Sequence, residues 1–402
     1  MASSAPLARR RSPSAADGWR LAALAGLTLL TRLWIPGPSE GEPDSALFSL
    51  GAWQWVHHGV HAARVYDRWF SSGYYALGGE LLRVLHAPLA QVTSVLDNVS
   101  LAAALVTVVM VWMLSRRLLP ASAAFWATVL FVLCPGIWQL GAEPHPEGLG
   151  IALLLVAWYA TLRCGQSRPL ATAGLSASHT PSHLPHSPRR VRDFAAWWLA
   201  ATVVLAAGLL VRGDAVLMFL AFLAVWLLPG LDLDTAARRR AAAASLAALI
   251  AAALIFLAVR AALLGESVGH TQHHAWSKVA GYLGHLSWLH QLLPNITALG
   301  PAAWLFTAAG LVLLGRACDA SVMRRWVLFA LAWSAPGWIF WFLVRGNNVR
   351  HVAIYALPWL WIACLGWHQA SGAARLRSGS PRRWPVLAAM VILALLVDAA
   401  II

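Results

Sequence analysis

Charge is scarce in this chain. Of 402 residues, 16 are Asp or Glu, and Lys278 is the sole lysine, so nearly every cation is an arginine. Charged residues make up 11% and hydrophobic residues 59%, with a mean hydropathy of +0.64. That balance excludes a soluble globular domain. Cysteine is scarce too. Cys134, Cys164, Cys318 and Cys364 fall within or beside apolar runs and form no Cys-x-x-Cys pair, which argues against a disulfide framework or a thiolate metal site. No Ala-x-Ala cleavage pattern stands near the start, so the first apolar run reads as a retained span behind a basic tail. There is no internal repeat.

What the chain has instead is long apolar runs. A hydrocarbon core needs about 20 apolar residues per helix, and backbone groups in lipid must pair internally. Eleven spans are predicted, over 19–36, 98–114, 120–138, 148–163, 194–211, 215–230, 241–263, 299–315, 326–344, 352–367 and 384–401. The fold class is therefore all-α, a polytopic transmembrane bundle, with a cytoplasmic tail at 1–18 and one membrane domain over 19–402.

The net charge of +14 does not point to nucleic acid, because the arginines sit in alternate loops. Arg9 to Arg11, Arg116 with Arg117, Arg189 with Arg190, Arg238 to Arg240, Arg324 with Arg325, and Arg382 with Arg383 follow the positive-inside pattern. They place the N-terminus in the cytoplasm and mark contact with the anionic lipid bilayer. Residues 164–193, rich in Ser, Pro, His and Arg, read as a cytoplasmic linker. The preference for arginine, with high Ala and Trp, suggests a GC-rich genome and a bacterial plasma membrane.

Polar residues on the outer side concentrate in few places. The first outer loop, 37–97, carries amphipathic segments at 45–58 and 72–86, with Trp53 and Trp55 suited to the interface. A second long outer loop, 264–298, is rich in His and Trp; its His270-Thr271-Gln272-His273-His274 run lacks a carboxylate partner and reads as a wet interfacial segment rather than a zinc site.

Three constellations carry candidate chemistry. Glu42-Pro43-Asp44 follows the first span. A carboxylate at a membrane boundary can serve as a general base toward a hydroxyl; the structural alternative for Asp44 is a helix N-cap, worth about 1 kcal/mol. Glu143-Pro144-His145-Pro146-Glu147 puts two carboxylates and an imidazole in a rigid loop. It suits acceptor binding or contact with Mg²⁺ or Mn²⁺, with an incomplete ligand set; the alternative is capping by Glu147. Arg345-Gly346-Asn347-Asn348-Val349-Arg350-His351 puts two arginines on the outer side, against the positive-inside rule. Their forked guanidiniums suit a lipid phosphate, and the alternative is snorkelling to head groups. Arg212 and Asp214, two residues apart, read as a pair with each other or as sugar contacts.

On these residues the chain resembles the GT-C superfamily of polytopic glycosyltransferases. Asp44 matches the catalytic acid of the first outer loop, and Glu143 to Glu147 fall where a second acidic outer loop lies. Arg350-His351 through Tyr355, Leu357 and Pro358 look like the Arg/His…Tyr-x-x-Pro pattern of dolichol-pathway and GPI-pathway mannosyltransferases. Two departures are evident: Glu-Pro-Asp replaces the commoner paired acids or His-Pro-Asp-Glu, and the late motif lacks a Lys-Glu pair. The resemblance covers 19–368. It implies inverting transfer of a hexose from a polyprenyl-phosphate carrier to a glycan, lipid or protein acceptor. Asp44 is then the base, and Arg345 or Arg350 steadies the phosphate. The rival readings are a transporter or flippase of lipid-linked sugars, which would place ionisable groups mid-span, and a non-catalytic assembly subunit.

Overall fold

An amide in hydrocarbon has no water to bond, so apolar segments of this length close their hydrogen bonds as helices. The structure, a computed structural model, describes residues 15–34, 43–60, 72–141, 144–166, 188–228, 231, 235–264, 300–343 and 353–378. Helices dominate, and no strand occurs among the described residues. The main ones are α1 (Ala15–Trp34), α2 (Pro43–His58), α3 (Ser72–Leu85), α4 (Val92–Leu118), α5 (Ala121–Val132) and α6 (Pro146–Gln166). They continue as α7 (Pro188–Val211), α8 (Thr235–Leu264), α9 (Pro301–Ala317), α10 (Ala320–Leu343) and α11 (Leu357–Ser378). Four of the described helices, within α4, α6, α7 and α8, are long and apolar enough to cross a membrane by length and composition. On α8 an outward stripe of Leu246, Ile250 and Leu254 is exposed at i, i+4 spacing, as a lipid-facing helix requires.

Helix α1 begins at Ala15, α4 at Val92, α6 runs to Gln166 and α7 begins at Pro188. The predicted span 384–401 and the His-rich run at 270–274 lie outside the described residues. Two predicted spans are broken. Helix α5 stops at Val132, and the chain turns through Leu133 and Cys134 into a short helix, Pro135–Trp138. Pro135 lacks an amide hydrogen and disfavours helical geometry at the residue before it.

The run at 215–230 is not one helix. It is a 3₁₀ segment (Gly213–Met218), a short helix (Phe219–Ala224) and a second 3₁₀ turn (Val225–Leu227). Its terminal carbonyls find a donor in Arg238, which bonds Trp226 O at 2.6 Å and Leu228 O and Leu231 O at 2.9 Å. A guanidinium with five donors can thus replace lost helix bonds, which apolar composition alone does not reveal.

The core centres on Trp158 of α6. Its ring stacks on Phe329 (5.8 Å) and on Trp361 (5.7 Å), and meets Trp333 edge-on at 4.9 Å. Such pairs contribute roughly 0.5–1.5 kcal/mol each beyond burial. The cluster ties α6 to α10 and α11. Above it, Trp333 donates to Ile354 O (3.0 Å) and Ser334 to Tyr355 O (2.6 Å), so α10 holds the 3₁₀ turn Ala353–Ala356 that opens α11. A second core joins α2 and α3 to α4 through Phe48, Ala52, Trp55, Tyr74, Tyr75 and Leu96.

The two ends of the bundle differ in charge. At one end Arg116 pairs with Asp17 (3.3 Å), Arg117 lies over Tyr159 (4.6 Å) and Arg163 over Trp197 (5.2 Å). The opposite end carries Glu147 and Asp214.

Helices α9 and α11 cross at glycine. A Cβ on Gly310 would lie 2.5 Å from Ala363 Cα, and one on Gly366 would lie 2.0 Å from Gly310 O. Close crossings of this kind need small residues. Gly315, on the same helix, has nothing within 4 Å. Gly310→Ala should therefore destabilise by about 1–3 kcal/mol, whereas Gly315→Ala should be neutral or stabilise by up to about 1 kcal/mol. Unfolding in detergent compares the two, and equal shifts would show that the crossing is not tight.

Candidate functional site

The acidic end is built where three irregular backbone segments meet. The loop before α6 contributes His145 and, in the helix's first turn, Glu147. There the helix dipole favours a carboxylate. Helix α7 ends at Val211, and Arg212 adopts an extended conformation (φ −155°, ψ 107°) that turns its side chain out of the helix register. Asp214 follows in the first turn of the 3₁₀ segment. The turn before α11 contributes Tyr355.

Arg212 is the hub. Its Nη1 contacts Glu147 Oε1 at 2.5 Å, and its Nε donates to Asp214 Oδ1 at 2.6 Å. Its guanidinium also lies 5.3 Å from the centroid of the Trp341 ring, a cation–π contact supplied by the end of α10. Glu147 is 5% exposed, and Arg212 is its ion-pair partner. Two glycines give the side chains room. A Cβ on Gly150 would stand 3.1 Å from Arg212 Cβ, and one on Gly337, next to Pro336 in α10, would stand 2.0 Å from Tyr355 Cζ.

Glu147, Arg212, Asp214 and Tyr355 line a cleft together with Ile151, Leu154, Met218 and Ile354. The cleft encloses about 20 Å³, enough for one water or one oxygen of a bound group. The lining is thus both charged and apolar.

His145 joins this cluster to α2. It is fully buried. Its Nδ1 lies 3.9 Å from Glu147 Oε2, and its Nε2 shares a 3.4 Å hydrogen bond with Ser45 Oγ of α2. Its ring meets Phe48 edge-on at 5.6 Å and 80°. Asp44 precedes Ser45 within the first turn of α2, which begins at Pro43. Of the predicted site residues, His145, Glu147, Arg212 and Asp214 come together, with the turn bearing Asp44 beside them. Glu42, Glu143, Arg345, Arg350 and His351 lie outside the described residues.

The metal expectation rests on Glu143, His145 and Glu147, and Glu143 lies outside the described residues. In the described cluster Arg212 bridges Glu147 and Asp214. Among the described residues, no group of three His, Cys, Asp or Glu is placed to hold a metal ion. Trp341 was not singled out from the sequence. Its only signal was an indole at the outer end of a late span.

No protein-family model and no curated protein sequence matches the chain. Solved structures do. The fold is similar to that of ArnT from Cupriavidus metallidurans bound to undecaprenyl phosphate, with a TM-score of 0.59 at 16% identity, over 93% of this chain and 62% of that one. It is similar to the Archaeoglobus fulgidus oligosaccharyltransferase tethered to an acceptor peptide containing the NVT sequon, with a TM-score of 0.51 at 14% identity, over 95% and 53%. The archaeal oligosaccharyltransferase AglB from the same organism, in complex with an inhibitory peptide and a dolichol-phosphate, aligns with a TM-score of 0.50 at 13% identity, over 95% and 54%. The chain spans between about half and three fifths of the length of these structures. The chain thus shares a fold with these structures.

Removing Arg212 would leave two carboxylates at the cleft without their cation. Arg212→Met should lower stability by about 3–5 kcal/mol. Adding Glu147→Gln and Asp214→Asn should recover most of that loss. Denaturant midpoints in detergent read both variants, and an Arg212→Met protein as stable as the wild type would mean that the pairing carries no stability.

Proposed function

We propose that the protein is a membrane glycosyltransferase. It moves a hexose, mannose by the late Tyr-x-x-Pro motif, from a polyprenyl-phosphate carrier to a glycan, lipid or protein hydroxyl. The observation that carries the reading is the meeting of two outer segments in a GT-C fold. The first turn of α2, which bears Asp44, lies against His145, and His145 lies against the Glu147–Arg212–Asp214 cluster.

The chemistry follows from these groups. Asp44, as general base, takes the proton of the acceptor hydroxyl. The acceptor oxygen then forms its bond to the anomeric carbon while the bond from that carbon to the phosphate oxygen breaks on the opposite face. Configuration inverts, and polyprenyl phosphate leaves. The donors of Arg212 are engaged by Glu147 and Asp214, so it is better placed to hold those carboxylates toward the sugar or acceptor than to take the phosphate. Phosphate charge falls to Arg345 or Arg350, whose forks suit it. His351, Glu42 and Glu143 complete the reading as binding residues. The setting is a bundle of about eleven spans in a bacterial plasma membrane, with the site on the outer face and the basic end in the cytoplasm.

The test is transfer of radiolabelled sugar from polyprenyl-phosphate mannose in membranes holding wild type or Asp44→Asn at matched levels. Activity in the wild type and a fall of about 10²-fold or more in the mutant supports Asp44 as base. Equal activity in both removes Asp44 from the mechanism. Inactivity of the wild type with this and other lipid-linked sugars would leave the transferase reading without support and favour the transporter or assembly-subunit reading.

A further inference from the structure

His145 invites explanation because nothing about apolar packing calls for it. The residue is fully buried between two prolines, Pro144 and Pro146, that are themselves buried. A phenylalanine or leucine would fill the volume without desolvating two ring nitrogens, and burying an imidazole is unfavourable unless those nitrogens find partners. Here they face two different elements: Nε2 lies 3.4 Å from Ser45 Oγ on α2, and Nδ1 lies 3.9 Å from Glu147 Oε2 on α6, a charge contact longer than a hydrogen bond. The ring plane is set by Phe48, three residues after Ser45 and so on the same face of α2.

Further along α2, Gly51 lies against the Tyr75 ring and Trp55 against Gly79 of α3. Ser49 shares a 3.3 Å hydrogen bond with Thr93 of α4, and Trp55 Nε1 donates to Glu80 of α3 at 3.1 Å. Those bonds act five and eleven residues from Asp44; the bond from Ser45 to His145 acts one residue from it.

We propose that His145 is a positioning residue: through Ser45 and Phe48 on one side and Glu147 on the other, it fixes the first turn of α2, and with it Asp44, against the Glu147–Arg212–Asp214 cluster. The inference rests on the reading of Asp44 as general base. It adds that the two acidic outer segments act as one unit, keyed by a buried imidazole. A base displaced by about 1 Å can lose 10²-fold in rate, so the latch should govern turnover more than binding.

Three variants separate this role from simple packing. His145→Phe keeps a ring against Phe48 but removes both nitrogens. His145→Gln returns a polar group near the Nε2 position. Ser45→Ala removes the partner. The latch predicts that His145→Phe lowers kcat by about 100-fold while the donor KM stays within about twofold. It predicts that His145→Gln regains at least about tenfold of that loss, and that Ser45→Ala combined with His145→Phe is no slower than His145→Phe alone.

Hydrogen exchange on the wild type and His145→Phe supplies a readout independent of activity. Peptides covering residues 44–50 should exchange faster in the variant, while those of α7 and α10 hold their protection. Unchanged exchange over 44–50 overturns the latch. Faster exchange with kcat within about threefold of the wild type also overturns the positioning role, leaving only a structural contact. So does a double variant whose losses multiply. If the wild type transfers no sugar, the transferase reading fails, and the exchange data still decide whether His145 holds the turn.

Discussion

A guanidinium taken out of bulk water has to be paired, and so do the carboxylates it meets. That requirement organises the acidic end of this molecule. Arg212 is satisfied by Glu147 from the start of α6, by Asp214 from the segment after α7, and by the Trp341 ring from α10. No one of these elements could supply all three. The Arg212 side chain leaves the helix because its backbone is extended, and the backbone is extended where α7 ends. The broken geometry of residues 213–227 is thus part of how the charge is satisfied. Part of this irregular backbone, at Asp214, Ala215 and Met218, lines the cleft.

The pairing holds its shape because it stands on a stiff base. The aromatic cluster around Trp158 fixes α6, α10 and α11 relative to one another. The same three elements carry Glu147, Trp341 and Tyr355. Trp333 and Ser334, within that base, also hold the carbonyls of the turn that bears Tyr355. Core and cleft meet at Ile354 and Tyr355, which line the cleft and whose carbonyls α10 holds. The space for Tyr355 comes from Gly337, where any Cβ would meet its ring.

Much of this fold was legible in the sequence, because lipid leaves a chain few choices. Long apolar runs mark helices such as α4, α6 and α8, and Pro43 and Ser72 open the outer helices near where the pattern places them. The segment 215–230 was misread for a physical reason. It is as apolar as a span, and what breaks it is the demand of Arg212 at one end and the donors of Arg238 at the other. Neither is visible in local periodicity. In the site, Arg212 and Asp214 are two residues apart and their pairing could be read directly. The partnership of Arg212 with Glu147 spans more than sixty positions and has no local signal beyond Gly150, which lets the arginine approach. The link from Ser45 to His145 spans one hundred positions and is equally silent in sequence.

The charge balance at the cleft bears on what it can stabilise. Glu147 and Asp214 bring two negative charges and Arg212 one positive, so the cluster is left with one negative charge when His145 is neutral. Such a cluster would repel a phosphate held close to it. In glycosyl transfer, however, positive charge grows on the sugar ring as the bond to the leaving group lengthens. A fixed negative charge that needs no reorganisation lowers the energy of that state. The proposed transfer therefore divides its electrostatics in space, with arginines for the departing phosphate at 345 and 350 and a surplus carboxylate for the ring. A single guanidinium shared by two acids is the arrangement that leaves this surplus.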